Sequence, residues 1–198
     1  MAKKSILKRG FKTNCEKKAK QLKQELGIRP HEPLCAFNLA KHIGIPVYKA
    51  TEFITCESEI QLLAGSNGTP CEWSALTMTT EQGNQIIIHN PFSTSARQQS
   101  DLMHEIAHIL CGHKHQTDKL PINLPFGLRE FNELQEEEAK CLGSTLQLSR
   151  ESLLWARRMK MSKHEISDFF NSSIEMVTYR LNTTAVDKQL YFRNKVNK

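Results

Sequence analysis

No stretch of this chain approaches the roughly 18 consecutive apolar residues that a membrane span requires, so no transmembrane segment is expected. The opening residues, Met1-Ala2-Lys3-Lys4-Ser5-Ile6-Leu7-Lys8-Arg9, lack the apolar core of a secretion signal, which predicts that the protein is not exported. The cysteines Cys15, Cys35, Cys56, Cys71, Cys111 and Cys141 include no C-x-x-C pair, which argues against a structural zinc knuckle and against a stapled secreted scaffold. Reduced thiols in a cytoplasmic protein are the expectation. Internal repeats and low-complexity tracts are missing as well. What remains is a chain of 198 residues with 39% hydrophobic content, enough to bury one full core with an appendage.

The net charge of +6 is unevenly placed. Residues 1–30 hold ten Lys/Arg against two Glu, residues 185–198 hold four against one Asp, and the middle of the chain is acidic. Basic ends of this kind can bind nucleic acid or an acidic partner. In the first of them, Cys15, Ala19, Leu22 and Leu26 recur at helical spacing, so the simpler reading is a helix with most of its lysines in solvent.

Two histidines four residues apart, with a glutamate after the first, stand in His104-Glu105-Ile106-Ala107-His108. Four residues advance a helix by about 6 Å and turn it slightly past one revolution, so both imidazoles leave one face and can close on a single ion. Neutral imidazole suits Zn²⁺, and Glu105 is the candidate general base beside it. Composition alone yields about 0.03 chance matches to this pattern in the chain, so context matters. Leu102, Met103, Ile106, Ala107, Ile109 and Leu110 predict a buried helix, Ser95 and Gln98 a capping box at its start, and Gly112 its end.

Upstream, a helix ending at Gly27 precedes a second that opens after Pro33, buries Ala36, Leu39, Ala40 and Ile43, and stops at Gly44. Ile45 to Tyr48 reads as an edge strand because Pro46 bars a central place. From Thr51 to Cys71 the signal is weak, and Trp73–Thr79 with Gln85–His89 reads as a hairpin. Residues 112–127 read as a loop in which His113, or less favourably His115, could support the site or donate to an oxyanion.

A catalytic zinc wants three protein ligands and a water, so one more ligand is needed. Glu130 to Leu148 reads as a helix with a buried stripe of Leu128, Gln135, Ala139, Leu142 and Leu146, from which Glu130, Glu133 and Glu137 point away. Glu136 flanks the stripe beside Ala139 and Gly143, whose small size would admit a neighbouring helix; Glu138 flanks the bulkier side with Leu142. That selects Glu136. Near the end, Ser162 to Glu165 and Ser172 to Glu175 both spell capping boxes, opening helices with Ile166, Phe169, Phe170 and then Ile174, Val177, Leu181 as apolar positions. This is the outline of a helix-turn-helix. Its second helix offers only Thr178, Tyr179, Arg180 and Asn182 to DNA, so packing or protein docking is favoured over DNA contact.

Taken in order, His104 to His108, Glu136-Glu137-Glu138-Ala139 and the terminal helix pair make the chain resemble the ImmA/IrrE family of metallopeptidases. Leu39 to Val47, Ser74 to Thr77, Ile86 to Pro91 and Arg97 extend the resemblance over residues 10–185. It implies an α+β protein with a small zincin-like domain. A short antiparallel or mixed sheet would stand beside the HExxH helix and a second ligand helix, with a helix-turn-helix-like subdomain after them. The expected boundaries are a basic helix over 1–30, the metallopeptidase domain over 31–150, the helix pair over 151–184 and a basic tail over 185–198. The resemblance further implies zinc ligation by His104, His108 and Glu136, with Mn²⁺ or Fe²⁺ as alternative metals. Glu105 would act as general base on a metal-bound water, making a limited cut in a helix-turn-helix repressor. Departures stand at Lys140, Leu142 and Gly143, and Ser149 replaces a common proline; Lys140 is placed to pair with Glu136. The competing readings are a non-catalytic, metal-stabilised regulator and a toxin–antitoxin partner that binds a repressor or DNA.

Overall fold

Twelve α-helices and β-strands follow one another among the residues described by this computed structural model, which are 6–65, 71, 73–80, 82–113 and 132–196. They are α1 (Phe11–Glu25), α2 (Ala36–His42), β1 (Val47–Lys49), α3 (Glu57–Ala64), β2 (Ala75–Thr79), β3 (Gln85–His89), α4 (Ser95–Cys111), α5 (Glu133–Gln147), α6 (Arg150–Arg158), α7 (Lys163–Phe169), α8 (Ile174–Thr184) and α9 (Val186–Val196). The architecture is α+β, with a small mixed sheet and a helical remainder. None of the described helices is long and apolar enough to cross a membrane.

Sheet order is β1-β3-β2, with β1 parallel to β3 and β2 antiparallel to it. Pro46, just before β1, is compatible with this edge place, and its carbonyl accepts from the Ile87 amide at 2.9 Å. The β2–β3 hairpin pairs Thr77 with Ile87 and Thr79 with Gln85 around the turn at Gly83. After β3, buried Asn90 donates to the carbonyls of Leu63 and Trp73 and accepts from the Phe92 amide, so one side chain fastens α3, the entry to β2 and the turn into α4.

Among the described residues, two apolar clusters form. The first gathers Cys15, Ala19 and Leu22 of α1, Ala36, Leu39 and Ala40 of α2, Ile87, then Leu102, Met103, Ile106 and Ala107 of α4 with Ala139, Leu142 and Leu146 of α5. The second gathers Leu148, Leu153, Ala156, Ile166, Phe170, Val177, Leu181 and Val186. From Cys141 to Ser149 the chain is buried without a break, so α5 is covered on all sides there. All six cysteines are free thiols, with the sulfurs of Cys15 and Cys141 3.9 Å apart between α1 and α5.

Several local expectations shift. Thr94, not Ser95, caps α4, accepting from the Arg97 amide at 3.3 Å, while Gln98 reaches back to the carbonyls of Pro91 and Ser93. Ser173, not Ser172, caps α8, so Glu175 falls one place short of a capping box. The first box holds: Ser162 and Glu165 bond each other's backbone amides. The weak stretch after Thr51 contains a 3₁₀ turn at Ala50–Glu52 and α3, which has no fully buried residue and therefore little apolar periodicity to read. Phe169 is exposed rather than buried. One lysine of α1 turns inward: Lys23 donates to the carbonyls of Pro30 and Glu32 and to Ser152 Oγ, and burial pushes its ammonium down to about 8. His115, Leu128 and Glu130, with the rest of 114–131, lie outside the described residues; α5 begins at Glu133, capped by Asn132.

Helices α4 and α5 approach closely at Gly143, where an added Cβ would stand 2.9 Å from the Met103 carbonyl oxygen and 3.2 Å from His104 Cα. Gly143→Ala is therefore expected to push α4 from α5, costing about 1–3 kcal/mol as overpacking does, which chemical denaturation of the metal-free protein would measure. Unchanged stability would mean that the two helices do not meet so closely.

Candidate metal centre

Helix α4 presents His104 and His108 on one face, as four-residue spacing requires, and α5 crosses that face in the opposite direction. Gly143 lies against Met103, while Glu136, two turns earlier on α5, reaches the histidines. His104 Nε2 lies 3.0 Å from His108 Nε2 and 3.1 Å from Glu136 Oε2, and His108 Nε2 lies 3.5 Å from Glu136 Oε1. The carboxylate thus straddles both rings. Among the described residues, these three form the one group of potential metal-holding side chains, with donor atoms within 4.8 Å of one another.

Tetrahedral ligands at the Zn–N and Zn–O distances of about 2.0–2.1 Å stand about 3.3 Å apart, so the observed separations fit a single small divalent cation. Two imidazole nitrogens and a carboxylate are also the donor set that such a cation prefers. Burial is uneven: the His108 side chain is 4% exposed, whereas those of His104 and Glu136 are 34% and 32% exposed. The centre is closed behind His108 and open in front.

Glu105 is buried next to this group and accepts a hydrogen bond from Thr77 Oγ1 of β2 at 2.6 Å. The strand thereby holds the orientation of a carboxylate on the neighbouring helix. Asp101, one turn before His104, is held above the usual carboxylate range by burial, with Arg97 3.6 Å away opposing the shift. His113 does not face the donors of Glu136; it stands behind His108, with Nδ1 to Nδ1 at 2.9 Å and Nε2 3.1 Å from Glu138 Oε2. Of the two roles considered for it, donation to an oxyanion does not suit that place. Lys140 does not pair with Glu136: its flexible side chain turns to other partners, with the ammonium 4.0 Å from Glu137 and over the ring of Tyr179. Glu133 is exposed, and Glu137 is turned to that same outer side.

A family model described as the IrrE N-terminal-like domain, of peptidase family M78, matches residues 70–182, more than half of the chain. The chain belongs to that family. No curated protein and no solved structure matched it. The matched span runs from the entry to β2 into α8, so in this M78 peptidase it includes the histidines, Glu105, Glu136 and Thr77 together. Membership makes the protein a member of a metallopeptidase family, with protein as the class of substrate.

The sequence pattern gives Thr77 no role of its own and offers Glu138 only as the alternative to Glu136. The Ser74-Ala75-Leu76-Thr77 strand carried a signal for the first, since alternation puts Thr77 on one face with Ala75 and Thr79. Arg180, considered above as a DNA contact, is buried, donating to the Leu148 carbonyl at 2.8 Å and to Glu16 at 2.7 Å. Helix α8 spends its one arginine inside the protein.

Thr77→Val keeps the shape but removes the donor to a buried carboxylate, a loss of about 1–3 kcal/mol. Equilibrium unfolding should register it, and a variant as stable as the parent would show that the Thr77–Glu105 contact contributes nothing.

Proposed function

We propose that this M78 peptidase is a zinc-dependent endopeptidase, with His104, His108 and Glu136 as metal ligands and Glu105 as general base, that makes a limited cut in a helix-turn-helix repressor. The observation that carries the reading is the convergence of His104 Nε2, His108 Nε2 and the Glu136 carboxylate at 3.0–3.5 Å, open to solvent on one side. A purely structural zinc closes with four protein ligands and needs no buried carboxylate at its flank. Three donors with Glu105 beside them suit a hydrolytic centre better.

A cation held there would supply Lewis acidity, polarising the scissile carbonyl and lowering the pKa of a water toward about 7. Glu105 takes the proton from the attacking water and returns it to the amine nitrogen as the C–N bond breaks. Thr77 holds Oε2 of Glu105, so the carboxylate does not swing away between the two transfers. His104 and Glu136, on the exposed side, border the space that the substrate carbonyl enters. Zinc is the default over Mn²⁺ and Fe²⁺ because it stands above both in the Irving–Williams order, while the donor set itself suits all three.

Strand β2 is the favoured seat for the substrate. It ends the sheet, it carries Thr77, and among the described residues it pairs only with β3. Asn90 donates to the Ser74 carbonyl and Thr80 to the Asn84 carbonyl, so the alternation of an antiparallel ladder turns the amides and carbonyls of Ala75, Thr77 and Thr79 outward. An extended peptide could add there as a further strand, with its scissile bond brought beside Glu105. The repressor as substrate rests on the resemblance of the sequence to the ImmA/IrrE proteins. With Arg180 held inside, the α7–α8 pair favours packing or docking over DNA contact.

Glu105→Gln should retain metal and slow repressor cleavage by about 10²–10⁴-fold; normal cutting by that variant would refute the general-base role. His104→Ala should lose metal and activity together. Ala75→Pro removes an outward amide without touching the β3 ladder, so KM should rise several-fold at unchanged metal content, and an unaltered KM would place the substrate elsewhere.

A further inference from the structure

We infer that His113 and Glu138 form a positioning pair for His108, a hydrogen-bonded chain that keeps the His108 proton on Nδ1 and aims the Nε2 lone pair into the metal centre. The inference rests on the reading of His108 as a metal ligand. It adds two residues to which neither the family match nor the donor geometry assigns a role.

The chain begins in the backbone. Gly112 adopts a left-handed conformation at φ +70 and donates to the Ile109 carbonyl at 3.0 Å, and the His113 amide donates to the His108 carbonyl at 3.1 Å. These two bonds make the Schellman ending of a helix, which brings the residue after the glycine against the side chain five positions earlier. That contact is usually apolar; here it joins two imidazoles. The His113 ring lies 5.0 Å from the His108 ring at 70°, with the Nδ1 atoms 2.9 Å apart, and its Nε2 lies 3.1 Å from Glu138 Oε2. The side chains of His113 and Glu138 are 7% and 16% exposed, so water is a poor substitute for either partner.

Proton placement follows from the donors available. An ionised carboxylate only accepts, so His113 Nε2 carries a hydrogen. A neutral His113 then has a bare Nδ1, and the single hydrogen between the two Nδ1 atoms belongs to His108. His108 Nε2 is left with its lone pair, pointed at His104 Nε2 and Glu136. The opposite order, with His113 doubly protonated, would force the His108 hydrogen onto Nε2 and turn a donor N–H into the place of the cation. When both rings are neutral, Glu138 accepting from His113 Nε2 selects the first order, and it strengthens His108 as a ligand, as outer carboxylates on metal-bound histidines do. Helix α5 thus acts on both ends of one ring, through Glu136 at Nε2 and through Glu138 and His113 at Nδ1.

The test combines imidazole ¹⁵N NMR of the metal-free protein with Zn²⁺ affinity by chelator competition on the full chain. In the parent protein His108 should be the Nδ1–H tautomer and His113 the Nε2–H tautomer; a His108 hydrogen on Nε2 would overturn the inference. His113→Ala should weaken Zn²⁺ binding about 10–100-fold, and Glu138→Gln, which keeps the shape, several-fold. The double variant should bind no worse than His113→Ala alone, because Glu138 acts through His113. A Glu138→Gln effect that persists without His113 would contradict the chain, as would single variants that bind like the parent. If the parent protein itself bound no Zn²⁺, the ligand reading would fail, while the tautomers would still decide whether His113 and Glu138 order the His108 proton.

Discussion

The approach of α5 to α4 at Gly143 is the constraint on which the candidate centre depends. With no side chain at that position, the backbone of α5 comes within side-chain distance of the Met103 carbonyl and His104 Cα. Ala139, one turn earlier, is likewise small and fully buried. A carboxylate extends only a few ångströms from its helix, so Glu136 can reach both imidazoles only if the axes are this close. Larger residues along that seam would leave the histidines facing solvent with no third donor.

The rest of the molecule holds α5 in that place. Helix α1 packs on its other side through Cys15, Ala19 and Leu22. Glu16 of α1 accepts from the Arg150 amide and from Arg180, linking α1 to the start of α6 and to α8. Lys23 ties α1 to Ser152 of α6. Ser149 caps α6 by accepting from the Ser152 amide, so a hydrogen bond fixes the direction change after α5. On the far side of α4, the Ala36 amide of α2 donates to buried Gln99, and β2 reaches Glu105 through Thr77. Each of these contacts crosses between elements, so the centre is set by tertiary packing more than by any local turn.

Sequence patterns carried the parts that depend on period and size. The apolar face of α4, the hairpin, the ends at Gly27, Gly44 and Gly112, and the choice of Glu136 beside Ala139 and Gly143 all follow from spacing. They correspond to α4, β2–β3, three left-handed glycines and a carboxylate 3.1 Å from His104. Caps moved by one residue where two candidates stood side by side, as at Thr94-Ser95 and Ser172-Ser173, because both side chains can accept and only the chain path decides. Helix α3 was not legible because it buries no residue completely. Lys23 and Arg180 looked like surface cations, and only the arrangement of distant carbonyls and Glu16 explains their burial. Glu138 and His113, 25 residues apart, meet only after α5 has folded back along α4.

The central claim is that one divalent cation is held between α4 and α5 by two imidazoles and a carboxylate, and X-ray absorption at the zinc edge of the loaded protein tests it most directly. The account predicts a first shell of nitrogen and oxygen at about 2.0–2.1 Å, with the outer scattering of two imidazoles. A sulfur shell at about 2.3 Å, or a single imidazole, would contradict it.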